Sequence, residues 1–596
     1  MTTNEKLNAL RKLMKERNID AYLLPSGDAH ASEYIADYWK ARPWFSSFTG
    51  SSGTVIVTTT EAGLWTDGRY FIQAASQLEG SDIDLYKMEM PNVPKYREFL
   101  AGKLPHGGKL GFDGRVVTVS DHEETCDALN DKEITYAYNE DLIGLIWQDR
   151  PALPTEKAFE HNLRFTGAAS KEKLASIRAE MEKHGVSSYL VTALDSIAWL
   201  ANIRGNDMSY TPVVYAYALI TTSDAHLFIN LEKVKPFASN LAAQGFTLHE
   251  YDELEGFLKT LDGKLLLNKD TTNVLLSEAL PKEIAIKDDL ETDIITLLKA
   301  VKSPTELENS RNAYLKESVV LVRMLKWLEE HTDISTLTEG DVARKLTDLR
   351  KEQPDFLQDG FSSIVAIGAN AAQAHYNPGS VGARLKPDGF LLVDTGGQYL
   401  DGTTDTTRTF AVGPITAEMK RNFTLVLKGH IAISNAMFPE GTKGVQIDAL
   451  ARLSLWEHGL DFRHGTGHGI GFCLGVHEGP QGIHKRSTTV TLEPGMLLSN
   501  EPGFYVDGEY GIRTENIIAV EKRMETEYGN FYGFETLTYC PYYTTAIDVS
   551  LLTPAEVEFI NAYHKKTYEV LAPRLDEDEK QWLRNATKPI KQCTGR

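Results

Sequence analysis

Cysteine is scarce, and no pair of cysteines is closely spaced. The four present (Cys126, Cys473, Cys540 and Cys593) form no CxxC pair, which argues against a disulfide framework and against a cysteine-ligated zinc site. Cys473 reads as a small buried thiol. Basic residues do not predominate; the net charge is −21, so neither nucleic acid nor an anionic membrane is an expected partner. No apolar run approaches the roughly 18–20 residues needed to cross a bilayer. The first residues, MTTNEKLNALRKLMKERN, have helical spacing in place of a signal peptide's apolar core, so a cytoplasmic location is expected. Low-complexity segments and long blocks of like charge are also missing.

What remains is an ordinary globular composition, 42% hydrophobic and 24% charged, over 596 residues. That length exceeds one hydrophobic core and predicts several domains. An internal repeat marks two of them. EKLNALRKLMKERNIDAYLLPSGD (Glu5 to Asp28) aligns without gaps on EKLASIRAEMEKHGVSSYLVTALD (Glu172 to Asp195). Leu7/Leu174, Leu10/Ile177, Met14/Met181 and Tyr22/Tyr189 coincide, so one amphipathic helix feeding one apolar strand occurs twice. Each copy runs on into β-rich sequence, and RPALPTEK joins them. A third region opens at Ser303-Pro304-Thr305-Glu306, a capping box that predicts a long helix. Thr553-Pro554-Ala555-Glu556 starts another, leading into a charged helical tail.

Acidic residues occupy unusual places in this third region. In FLLVDTGGQYLDGTTDTTRTFAV (Phe390 to Val412), four apolar residues end in Asp394, and a threonine-rich strand beyond a turn carries Asp405. MLLSNEPGFYVDGEYGIRTENIIAV (Met496 to Val520) repeats the arrangement with Glu501 and Glu515. Each stretch predicts an antiparallel pair that brings two carboxylates together. Asp401 and Asp507 sit in Asp-Gly dipeptides and read as turn residues. Four gathered carboxylates repel and raise one another's pKa unless cations intervene. Four negative charges suit two divalent ions, and oxygen ligands with an occasional imidazole favour Mn²⁺, Fe²⁺, Co²⁺ or Zn²⁺.

The stretch DFRHGTGHGIGFCLGVHEGP (Asp461 to Pro480) holds His464, His468 and His477 among six glycines. It contains neither the HExxH helix of zincins nor GxGxxG. Glycines let backbone approach a ligand while imidazoles point inward. His468 is the expected metal ligand, with the other histidines as hydrogen-bond donors to an oxyanion or leaving group. His375, in AQAHYNPGS, precedes the first hairpin.

With these residues assembled, the chain resembles the M24 "pita-bread" metallopeptidases, and within them the long three-domain aminopeptidase P group. SSIVAIGANAAQAHY, LLVDTGGQYLDGTTDTTRTF, HGTGHGIGFCLGVHEGP and NEPGFYVDGEYGIRTEN carry the resemblance, with WTDGRYF (Trp65 to Phe71) in the first domain. The resemblance implies an α/β protein: two creatinase-type N-terminal domains (1–160 and 161–301) and a pita-bread catalytic domain (302–596) with a helical extension from about 541. It implies metal ligation by Asp394, Asp405, His468, Glu501 and Glu515, with Asp405 and Glu515 bridging two ions, Mn²⁺ foremost. Asp394 would bind one ion, His468 and Glu501 the other. His375, His464 and His477 match non-ligand active-site histidines, Glu501 is the expected proton shuttle, and Arg513 is expected at the substrate. Arg69 either lines the cleft or merely closes a turn. The implied reaction is hydrolysis of the first bond of a peptide with proline second, by a hydroxide bridging the two metals, in a homodimer. Prolidase and methionyl aminopeptidase remain alternatives, as does a metal-free binding protein of the same fold.

Overall fold

A computed structural model describes residues 1–486 and 490–591; Cys593 lies outside the described residues. Met1–Glu160, Ala169–Ser209 and Val213–Leu290 form one compact unit, and His161–Ala168, Tyr210–Pro212 and Glu291–Arg596 form a second.

The first unit contains the repeat as two six-stranded sheets of the same construction. Helix Thr3–Arg17 leads to strand Ala21–Pro25, and helix Ser170–Lys183 to strand Ser188–Val191. Leu7, Leu10, Met14 and Tyr22 are buried, as are Leu174, Ile177, Met181 and Tyr189. The aligned positions are therefore the core-facing stripe of each helix and the first strand beside it. Strand Ala21–Pro25 runs antiparallel to Thr54–Thr58 and parallel to Lys109–Gly111. Ser188–Val191 likewise runs antiparallel to Ala216–Thr221 and parallel to Lys264–Leu266. WTDGRYF forms a turn in which Arg69 Nε and Nη2 each donate to Asp67 at 2.8 Å.

In the second unit both predicted capping boxes form. Ser303 caps helix Pro304–Glu329, and Thr553 caps Pro554–Leu571. Each satisfies otherwise orphaned N–H groups at a helix start, worth about 1 kcal/mol. Strands Ile364–Ile367, Phe390–Thr395 and Thr406–Ala411 make one antiparallel sheet, with Phe390–Thr395 central. Leu497–Asn500, Asn516–Thr526, Gly529–Thr536 and Phe438–Pro439 make another. Helices Ala417–Ser434 and Gly444–Trp456 pack closely, because Gly429 offers no Cβ; one placed there would lie 2.1 Å from the Ala451 carbonyl oxygen. Phe390, Phe423, Val426, Ala451 and Ile518 join strands and helices in one apolar core.

Asp401 does lie in a turn, but its side chain is buried, pairing with Lys316 Nζ at 2.7 Å and accepting from Asn312. A turn residue can thus also be an anchor for a helix beneath it. Asp507 is an exposed turn residue.

Two histidines in this core are buried in the neutral form. Burial and nearby Arg408 push His430 down to about 3 and His564 to about 4, from 6.5. His430 Nε2 accepts from Tyr542 Oη, and His564 Nε2 accepts from the Tyr542 backbone N–H. Their folded pKa values lie below the unfolded one, so their contribution is complete above pH 6.5 and is lost as pH falls toward 4. Urea unfolding at pH 7 and pH 5 is expected to show this loss, and His564→Gln is expected to make it smaller.

Candidate metal centre

Both acidic stretches fold as hairpins interrupted by a smaller hairpin. Asp394 is in Phe390–Thr395, opposite Thr407, and Asp405 immediately precedes Thr406–Ala411. Asn500 pairs with Asn516, so Glu501 and Glu515 leave their sheet from the same rung. Between them sits the hairpin Gly503–Val506/Tyr510–Arg513. The two sheets are stitched together at the acids: Glu515 N–H donates to Thr407 O at 3.1 Å, and Thr407 Oγ1 donates to Glu515 Oε2 at 2.7 Å. All four expected carboxylates therefore occupy one region.

His468 arrives from the glycine-rich stretch, on the short strand Gly467–His468. Gly467 is needed there, since a Cβ would lie 1.9 Å from Ser499 O. His468 N–H donates to Ser499 Oγ, which donates to Glu501 Oε1 at 3.0 Å. The imidazole Nδ1–H donates to Gly469 O at 2.9 Å, so Nε2 is the nitrogen that faces the acids. Nε2 lies 3.3 Å from Glu501 Oε1 and 3.5 Å from Asp405 Oδ2. Asp405, His468 and Glu515 each offer one ligand atom, and these lie within 4.8 Å of one another.

The electrostatics are those of an anionic cage. Burial, then Asp394 and Glu501, raise Asp405 to about 6, although His468 opposes this. Burial and the charges of Asp405, Glu501 and Asp394 push Glu515 well above the usual carboxylate range. Burial also raises Glu501, against the pull of His468 and Arg513. His468 itself rises to about 9: burial opposes its charge, but Asp405 and Glu501 outweigh it. Among the described residues, Asp394 Oδ1, Asp405 Oδ1 and Glu515 Oε1 are buried acceptors without a hydrogen-bond partner. Such orphans are costly unless something electropositive meets them. Oxygen donors with one imidazole suit hard or borderline divalent ions, so these residues fit the expected metals.

Arg513 is almost fully buried, and each of its three guanidinium nitrogens makes a hydrogen bond. It reaches Asp394 Oδ2 at 2.5 Å, Tyr505 Oη at 2.6 Å and Thr407 Oγ1 at 3.2 Å. Tyr505 Oη in turn donates to His464 Nε2 at 2.8 Å, while His464 Nδ1–H donates to Gly465 O. Burial, with the positive charges of Arg513 and His375, depresses His464 to about 3, so it is neutral. Both of its ring nitrogens are engaged, so His464 has no donor to spare for substrate in this arrangement. His477 is exposed, packed edge-on against His468 at 4.4 Å. His375 is exposed, near enough to His464 to affect its charge. Ser499, Tyr505 and Thr407 are partners that sequence reasoning did not single out. Only alternation along their strands hinted at which side chains turn inward.

The comparisons with known proteins agree with this geometry. Residues 308–522 match the metallopeptidase family M24 model, and 530–590 match the C-terminal region of that family. Residues 6–140 and 149–306 each match creatinase/prolidase N-terminal domain models. The probable Xaa-Pro aminopeptidase P of Laccaria bicolor is 40% identical, covering 99% of this chain and 94% of its own. The chain belongs to the aminopeptidase P family of M24 metallopeptidases. Aminopeptidase P2 of Arabidopsis thaliana is 39% identical, with 99% and 89% covered. Among solved structures, X-prolyl aminopeptidase from Caenorhabditis elegans, described as a cytosolic enzyme with a di-nuclear active site, superposes with TM-score 0.92. It is 35% identical over 99% of this chain and all of its own. A Bacillus anthracis Xaa-Pro dipeptidase matches only 63% of this chain, with TM-score 0.51 and 25% identity.

Asp405 gives a direct test of the cage. Its folded pKa lies above the unfolded 3.8, so its contribution to folding is complete below about pH 4 and is lost as pH rises through about 6. Asp405→Asn is expected to raise the melting temperature of chelator-treated protein at pH 7.5 and to shrink the gain in melting temperature on adding Mn²⁺.

Proposed function

We propose that the chain is a metal-dependent aminopeptidase that hydrolyses the first bond of peptides with proline in second place. The observation carrying this reading is the set of orphaned carboxylate oxygens grouped with His468, in a chain matching Xaa-Pro aminopeptidases from end to end. Asp405 and Glu515 would bridge two ions, with Asp394 on one and His468 and Glu501 on the other. Mn²⁺ is the proposed metal, and Zn²⁺, Co²⁺ or Fe²⁺ would suit the same donors. Bound there, such ions polarise a carbonyl and bring the pKa of water toward about 7.

The chain's own groups supply the rest. An Xaa-Pro bond has no N–H and a rigid ring, so recognition rests on shape and on the carbonyl. Glu501, raised by burial, is suited to take the proton of the attacking water and pass it to the prolyl nitrogen. His477 and His375 would donate to the substrate, and their exposure supports that role. Arg513 and Tyr505 fix Asp394 and hold His464, which would meet substrate only after Tyr505 releases its Nε2. The domain bounds 1–160, 161–301 and 302–596 are part of this proposal, supported by the family-model matches. So is a cytoplasmic location, in keeping with the C. elegans relative; no helix of the described residues is long and apolar enough to cross a membrane.

A homodimer is also proposed. Leu450, Leu453 and Trp456, at helical spacing on Gly444–Trp456, are exposed by 39%, 53% and 46%. Such a stripe fits the apolar centre of a self-complementary interface. Trp456→Glu is expected to give a monomer in sedimentation velocity, and an unchanged dimer would remove this face from the interface.

The activity is tested with Xaa-Pro dipeptides, longer Xaa-Pro-Yaa peptides and proline-free controls, each with and without Mn²⁺. Cleavage of the longer proline peptides, dependent on metal, is expected; activity confined to dipeptides would indicate a prolidase. Glu501→Gln is expected to lower kcat by about 100- to 10,000-fold.

A further inference from the structure

The neck of the Asp394–Asp405 hairpin rests on a charge pair that takes no part in the hydrolytic scheme. After Thr395 the chain leaves its sheet, forms the small hairpin Gly397–Tyr399/Gly402–Thr403, and returns at Thr404. The neck is tight. Gly397 N–H donates to Thr404 Oγ1, and Thr404 N–H to Gly397 O, both at 2.9 Å. A Cβ on Gly396 would lie 1.9 Å from Thr404 O.

Two helices meet under this neck, and each sends in one charge. Glu317 on Pro304–Glu329 and Arg350 on Glu339–Lys351 are 1% and 0% exposed. Arg350 Nη2 lies 2.7 Å from Glu317 Oε1, and Nε lies 3.1 Å from both carboxylate oxygens. Arg350 Nη2 also donates to Thr395 Oγ1 at 2.5 Å, and Nη1 to Asp359 at 2.9 Å. Glu317 Oε2 accepts from Tyr399 Oη at 2.9 Å and Thr404 Oγ1 at 3.2 Å. Arg350 thus holds the residue after Asp394, and Glu317 holds the residue before Asp405.

A buried ion pair is an expensive way to join two helices, since well-packed apolar residues of similar volume often do as well or better. What apolar residues could not do is fix two threonine hydroxyls on opposite sides of the neck. We propose that Glu317 and Arg350 are a positioning pair that sets Asp394 relative to Asp405, and so governs how tightly the cage binds its divalent cations. This rests on the reading of those two aspartates as ligands. Partners one step behind metal ligands typically change affinity by about 10- to 100-fold when lost.

The test is titration of chelator-stripped full-length protein with MnCl₂ by calorimetry, with melting temperatures recorded in chelator. Thr395→Val and Thr404→Val remove only the linking hydroxyls and are expected to weaken Mn²⁺ binding by about 10- to 100-fold. The neutral replacement Glu317→Gln with Arg350→Met is expected to do the same. Thr404→Ser returns the hydroxyl and is expected to regain wild-type affinity, whatever the melting temperature of Thr404→Val. Wild-type affinity in both valine variants, or no recovery in Thr404→Ser, would overturn the positioning role. Asp394→Asn separates the two claims: if it binds Mn²⁺ like wild type, the ligand reading fails; if it alone loses binding, only the positioning role fails.

Discussion

Repulsion among four carboxylates enclosed in one space is the constraint around which the second unit is arranged. Burial and neighbouring charges raise Asp405, Glu501 and Glu515, and the raised Asp405 and Glu515 record that strain. His468, whose charged form Asp405 and Glu501 favour, and Arg513, spent on Asp394, offset part of it. One oxygen each of Asp394, Asp405 and Glu515 remains buried without a hydrogen-bond partner. A cage of that kind is stable and useful when divalent cations complete it, and the same cations are what a tertiary-amide substrate needs.

The surrounding structure can be read as the means of holding the acids close. Two interrupted hairpins deliver two acids each, and Thr407 ties one hairpin to the other. Ser499 couples His468 to Glu501. Tyr505 and His464 brace Arg513 from the far side, which requires a bare Gly503, because a Cβ there would lie 2.7 Å from Tyr505 Oη. Glu317 and Arg350 close the neck of the first hairpin from below. Each support is itself hydrogen-bonded, as buried polar networks must be if they are to specify one geometry.

Much of this was legible in the sequence, for identifiable reasons. The repeated helix and strand were visible because their buried positions coincide at fixed spacing, Leu7 with Leu174 and Met14 with Met181. The capping boxes at Ser303 and Thr553 were visible because capping is local chemistry. The acids stood out because an aspartate directly after FLLV demands a partner. What stayed hidden depends on contacts between distant segments. Asp401 read as a plain Asp-Gly turn residue, and nothing local reveals that Lys316, far away in sequence, reaches it. Nor does sequence tell that Tyr505 occupies His464, or that Thr395 and Thr404 share one ion pair.

The central claim is that the cage exists to bind two cations. The most direct measurement is the count of Mn²⁺ ions held by the chelator-stripped full-length protein at saturation, by electron paramagnetic resonance, alongside the Glu515→Gln variant. The account predicts two ions per chain, magnetically coupled, with the coupled pair lost in Glu515→Gln. A fully active protein that holds one ion or none, or an intact pair in Glu515→Gln, would contradict it.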